Sequence, residues 1–229
     1  MKELRSCVAE VLGTFFLCFA GIAAICSNAP PIESGAGIVG IALAHGLALS
    51  VAVNAFGGIS GAHCNPAVTS AFLVTGRIKP ALGFGYIVAQ CLGATIAAFL
   101  CKSIFPEESV KAVNLGIPLP GTSAAWVTPN VILVVEAILT FLLVMAVFGT
   151  AVDERGKAVK IGGFGIGMTV AFDILAGGAI TGASMNPARS FGPALIQGDF
   201  NLHWCYWAGP VAGAVLAGLI YHHFLLQED

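Results

Sequence analysis

Gly61-Ala62-His63-Cys64-Asn65-Pro66-Ala67 and Gly182-Ala183-Ser184-Met185-Asn186-Pro187-Ala188 are one short phrase written twice, once in each half of the 229-residue chain. Each ends in Asn-Pro-Ala, and each marks a helix start. Asparagine is a strong N-cap, and proline suits the first helical turn, where its missing N–H is not needed. The apolar stretches that follow, Ala67 to Thr75 and Ala188 to Ile196, are short. At a rise of about 1.5 Å per residue they cross only about half of a bilayer core about 30 Å thick. They predict two half-helices entering from opposite faces.

The rest of the chain fits a membrane setting. It is 57% hydrophobic and 10% charged, with a mean hydropathy of +0.90, whereas a soluble domain carries about 25% charged residues. Its 29 glycines suit closely packed transmembrane helices. A net charge of −2 argues against nucleic acid as a partner. Cys7, Cys18, Cys26, Cys64, Cys91, Cys101 and Cys205 are scattered through apolar runs without metal spacing, so they read as reduced core residues. No metal or other cofactor is expected, and no nucleophile–base set suggests an enzyme. The apolar run after Met1–Arg5 leads straight into further spans and is kept as a span rather than a cleaved leader.

Stretches long enough to cross a bilayer lie at about 6–27, 36–56, 81–104, 129–150, 161–179 and 203–226. The halves repeat: Ala9-Glu10-Val11-Leu12-Gly13-Thr14-Phe15 resembles Val135-Glu136-Ala137-Ile138-Leu139-Thr140-Phe141. Three spans per repeat invert the second copy relative to the first. Inverted repeats with broken helices place a site near the midplane. The expected fold is therefore an all-α membrane protein with six transmembrane helices and two re-entrant half-helices. It forms a single channel domain over 1–229, with repeat 1 at about 1–105 and repeat 2 at about 129–229. Lys2, Arg5, Arg77, Lys79, Arg155, Lys157 and Lys160 fall on one side of this topology, which predicts cytoplasmic termini. The Pro106–Pro129 loop is expected over the outer mouth. Small-residue faces, Ala44/Ala48/Ala52 and Gly209/Gly213/Ala217, are expected at helix crossings and in subunit packing.

Two half-helices meeting end to end aim two positive dipole ends at one spot. Irregular backbone at that depth is tolerated where it lines an aqueous path or is buried in protein. The carbonyls of Gly61, Ala62, His63, Cys64, Gly182, Ala183, Ser184 and Met185 then form a ladder of acceptors. Asn65 and Asn186 would accept backbone N–H groups through Oδ1 and offer Nδ2 to the path. A water held there receives two hydrogen bonds, and the positive field opposes protons and cations. Arg189 follows the second phrase inside an apolar half-helix, where a charge must face water or a partner.

The paired Asn-Pro-Ala phrases, the six-plus-two topology and the repeat resemble the aquaporin family over essentially the whole chain. That resemblance implies a homotetramer in membrane lipid, with one pore per subunit passing water and small neutral solutes. It places the narrowest point at His45, Ile174, Ala183 and Arg189. It makes Glu10 and Glu136 supports for the re-entrant loops, with Gln90 of the same kind, and puts His63 near the inner vestibule. Asp173 is expected to bond nearby loop backbone, and His222 and His223 to form a solvated terminal turn.

A strict water filter resembles Phe, His, a small polar or Cys residue, and Arg. Here His45 replaces the phenyl ring, Ile174 removes a donor and Ala183 opens one wall. The set resembles that of plant tonoplast intrinsic proteins and ammonia-permeable animal aquaporins. Water and ammonia are the expected solutes, with hydrogen peroxide or urea as further candidates. A glycerol facilitator is disfavoured, because Ser190 stands where that subtype has aspartate. A coupled transporter also uses inverted repeats, but it needs a coupling-ion site, and Arg189 is the one ion the sequence places in the pore.

Overall fold

A computed structural model describes residues 1–121 and 126–226; positions 122–125, within the expected outer loop, lie outside the described residues. The long helices are α1 (Lys2–Ser27), α2 (Gly37–Ser60), α4 (Pro80–Ile104), α6 (Pro129–Val147), α8 (Gly162–Thr181) and α10 (Cys205–Ile220). All six are long and apolar enough to cross a membrane, with the spans of α6 and α10 running on to Pro129–Val152 and Cys205–Leu225. The half-helices are α3 (Pro66–Val74) and α9 (Pro187–Gln197), and short helices α5 (Glu107–Ala112) and α7 (Glu154–Lys157) sit in the connections. The result is an all-helical bundle with an inverted internal repeat. Six crossings bring both ends to the same face, here the terminal face; the other is the distal face.

Several helices run past the limits that hydropathy suggests. α2 continues through Gly57-Gly58-Ile59-Ser60 and stops at Gly61, whose φ of 89° is left-handed. α8 stops in the same way at Gly182, with φ of 85°. Glycine weakens a helix interior by about 1 kcal/mol, but a backbone in a membrane must satisfy its own polar groups, and staying helical does so. α6 and α10 each end in a wide turn, at Phe148–Val152 and Tyr221–Leu225.

Packing follows the repeat. α1 lies against α2 and α4, α10 against α6, and α2 against α8 across the halves. Each half-helix rests on the other half's last helix, α3 on α10 and α9 on α4. Their tips are thereby aimed at each other. The helix crossings are close where side chains are absent. A Cβ on Gly93 would overlap the Val11 carbonyl, and one on Gly213 would overlap the Ala137 carbonyl at the matching crossing. The Gly209/Gly213/Ala217 face is thus buried inside the chain, while Ala44 and Ala48 stay half-buried. All seven cysteines are free thiols.

Candidate functional site

The segments between each long helix and its half-helix have matching backbones. Ala62, Cys64, Ala183 and Met185 have φ of 46°, 52°, 43° and 54°. Left-handed backbone costs a non-glycine residue about 1–2 kcal/mol, so it persists only where the surroundings enforce it. The enforcing groups are two fully buried carboxylates, Glu10 on α1 and Glu136 on α6. Glu10 accepts the His63 N–H at 2.9 Å and the Cys64 N–H at 2.7 Å. Glu136 accepts the Ser184 N–H at 3.0 Å and the Met185 N–H at 2.7 Å. Ser60 and Thr181 donate to the same carboxylates. Charge-assisted bonds of this kind are about twice as strong as neutral ones.

Two further donors complete the frame. Tyr86 donates to the Ser60 carbonyl at 2.8 Å, and Tyr206 to the Thr181 carbonyl at 2.6 Å. Nothing in the sequence reading singles out this tyrosine pair, though both occupy the same place in the repeat. Gln90 donates to Glu10 at 2.8 Å and to Thr69 Oγ1 at 3.0 Å. Since Thr69 donates its own proton to the Asn65 carbonyl, it accepts from His63 Nδ1 at 3.1 Å. The neutral His63 ring is then bare at Nε2.

At the tips the two halves are stitched together. Asn65 caps α3 by accepting the Ala67 N–H at 2.8 Å, and Asn186 caps α9 by accepting the Ala188 and Arg189 N–H groups. Asn65 Nδ2 donates to the Met185 carbonyl and Asn186 Nδ2 to the Cys64 carbonyl, both at 2.8 Å. One N–H of each is tied to the opposite loop and one remains. The Cys64 and Met185 carbonyls are likewise engaged within the protein. The carbonyls of Gly61, Ala62, His63, Gly182, Ala183 and Ser184 accept nothing from the described residues.

These groups line a cavity of about 100 Å³ that takes in Asn65, Asn186, His45 and Arg189 along with residues 61–64 and 183–185. Leu17, Leu49, Val53, Leu143, Ile166 and Val170 form its apolar side. A second cavity of about 310 Å³ opens on the distal side, floored partly by Gly116, Ile117 and Pro118 of the long loop. His45, Ile174 and Arg189 line both cavities and therefore mark the neck between them. Ala183 faces the first and Gly182 the second, so the wall between those two residues completes the neck.

The neck is polar on two sides and apolar on one. Arg189 is 4% exposed and donates from Nη1 to the Gly116 carbonyl at 2.8 Å. His45 Nδ1 lies 2.8 Å from the Ile41 carbonyl, which makes Nδ1 the donor and leaves Nε2 as the bare acceptor of the neutral ring. The Nε2 edge lies over Gly21 on α1, where any Cβ would collide with the imidazole. Ile174 supplies a buried hydrocarbon wall.

Asp173, next to Ile174, departs from expectation. Both carboxylate oxygens are buried without a hydrogen-bond partner among the described residues, so it does not bond loop backbone. On the terminal face, His222 Nδ1 pairs with Arg77 at 3.2 Å. Nearby, the Arg155 guanidinium holds the Asp153 carboxyl well below the usual carboxylate range. Among the described residues no His, Cys, Asp and Glu cluster could hold a metal.

A family model described as Major intrinsic protein matches residues 1–221. The probable aquaporin TIP-type RB7-5A of Nicotiana tabacum is 43% identical over 224 residues, covering 96% of this chain and 86% of that protein. Aquaporin TIP2-1 of Arabidopsis thaliana is 43% identical over 234 residues, covering 100% of this chain and 90% of its own. The aquaglyceroporin structure from Plasmodium falciparum superposes with a TM-score of 0.85, covering 97% of each chain at 21% identity, a likeness of fold.

Proposed function

The chain belongs to the major intrinsic protein family, as an aquaporin-type multi-pass membrane channel, and on that premise we propose that it conducts water and neutral ammonia while excluding protons and ions. The observation that carries the ammonia reading is the neck. It has one fixed cation, Arg189, one imidazole ring, His45, and an aliphatic wall, Ile174, with no aromatic carbocycle among them. Ammonia needs acceptors for its hydrogens and a donor for its lone pair. The open carbonyls at Gly182 and Ala183 accept, and Arg189 donates. Hydrogen peroxide and urea are further candidates for the same opening.

Exclusion of charge rests on three positive features in line. The N-termini of α3 and α9 converge on Asn65 and Asn186, and Arg189, which stays charged under all working conditions, stands above them. Asn65 and Asn186 each hold one N–H toward the passing water, which orients it as an acceptor and interrupts a proton relay. The channel works as a homotetramer in membrane lipid with both termini in the cytoplasm, the side of Arg77, Lys79 and Arg155.

The test is ammonia-driven alkalinisation of proteoliposomes, wild type against His45→Phe with Ile174→His. The expected outcome is a lower ammonia-to-water ratio in the double variant. Equal ratios remove the basis for the ammonia reading, and flux that saturates or follows an ion gradient replaces it with a coupled transporter.

A further inference from the structure

Arg189 has no carboxylate partner among the described residues, and its side chain bonds a single protein atom, the Gly116 carbonyl. Gly116 ends a turn with an unusual backbone. Asn114, Leu115 and Gly116 have φ of 46°, 52° and 72°, three left-handed residues in a row. Asparagine and glycine visit that region readily, but leucine does so at a cost. The turn must therefore be held from outside.

Three contacts hold it, the weakest a 3.4 Å bond from Gln197 Nε2 to Asn114 Oδ1. Leu115 is fully buried in a cluster with Cys18, Ile22 and Ala188, the residue before Arg189. Asn114 Nδ2 donates to Asp199 Oδ2 at 2.7 Å. Asp199 is itself fixed, accepting the Asn201 N–H on Oδ1 at 3.0 Å and donating its own N–H to the Ala194 carbonyl. Arg189 lies in the first turn of α9, and Asp199 lies just beyond its last. The loop turn is thus pinned to the same half-helix at both ends, by Asp199 at one and by the guanidinium at the other.

We infer that Asn114 and Asp199 are positioning residues for Arg189: their hydrogen bond fixes the turn that presents the Gly116 carbonyl, and so sets the width and charge of the neck. The inference rests on the neck being the selective point. With the turn released, the guanidinium loses its anchor and can swing into the distal cavity, leaving a wider opening bounded by His45 and Ile174.

The experiment compares urea-to-water permeability ratios in proteoliposomes. Asn114→Asp sets two carboxylates against each other and breaks the bond. Asn114→Gly accepts the left-handed φ without strain and lacks the bond, so it serves even where the charged variant folds poorly. Both should raise the ratio about threefold to tenfold, the shift that loss of one ordinary hydrogen bond allows. Asn114→Asp with Asp199→Asn exchanges donor and acceptor and should restore the wild-type ratio. In an Arg189→Val background Asn114→Gly should add nothing, because the effect runs through Arg189. Ratios unchanged in both single variants, with wild type conducting water, overturn the inference alone. Wild-type protein that conducts no more water than empty liposomes overturns the channel reading and the inference with it.

Discussion

The two loops that lead into the half-helices share a backbone and differ in what holds them. Glu10 receives four donors: Ser60, the His63 and Cys64 N–H groups, and Gln90. Glu136 receives three: Thr181 and the Ser184 and Met185 N–H groups. The fourth is missing because Pro210 stands four residues after Tyr206, where Gln90 stands four after Tyr86. Proline offers no amide side chain. The first loop is thus the more fully determined, and the second carries Arg189 and the neck. The shape demanded at the midplane is the same in both halves, but the strength with which it is held is not.

The largest effect should come from removing a carboxylate charge. In Glu10→Gln an amide at the Oε2 position strands the Cys64 N–H and the Gln90 amide. In Glu136→Gln it strands the Met185 N–H alone. A stranded buried donor costs about 1–3 kcal/mol, so Glu10→Gln should lower stability by about 2–6 kcal/mol and Glu136→Gln by about half as much. Thermal unfolding in detergent measures the order, and a larger loss in Glu136→Gln reverses the comparison.

The parts of this frame that sequence reveals are those with local chemistry. Asn65-Pro66 and Asn186-Pro187 announce helix starts because capping involves residues two or three apart. Glu10 and Glu136 stand out as charges at matching places in apolar runs. What escapes the sequence is contact across long separations. The amides of Asn65 and Asn186 tie to carbonyls 120 and 122 residues away. The turn at Asn114–Gly116 that anchors Arg189 has neither periodicity nor repeat to betray it. Asp173 misleads for the opposite reason: a buried carboxylate calls for a partner, and the described residues offer none.

A smaller effect should follow from making the first half resemble the second. Gln90→Met removes the fourth donor from Glu10 with little change in volume. A hydrogen bond to a charged group contributes about 1.5–3 kcal/mol, so unfolding should shift by that amount while water flux persists. No shift means that the extra donor adds nothing and the halves are equally held.

The smallest effect should come from the reverse exchange. Asp173 occupies the place that the buried Ala52 holds in the first half, each eight residues before the end of its helix. Asp173→Ala removes a carboxylate with no bond to lose among the described residues, so stability should stay within about 0.5 kcal/mol or rise. A loss as large as that of Gln90→Met reveals a partner for Asp173.

The central claim is that the two half-helix tips form a path for water closed to protons. Proteoliposomes carrying the purified chain, loaded with a pH-sensitive dye and subjected to osmotic shock under an imposed pH gradient, report both fluxes at once. The account predicts shrinkage much faster than empty liposomes with a low activation energy, and no added dissipation of the gradient. Shrinkage no faster than empty liposomes, or a proton flux that rises with the water flux, contradicts it.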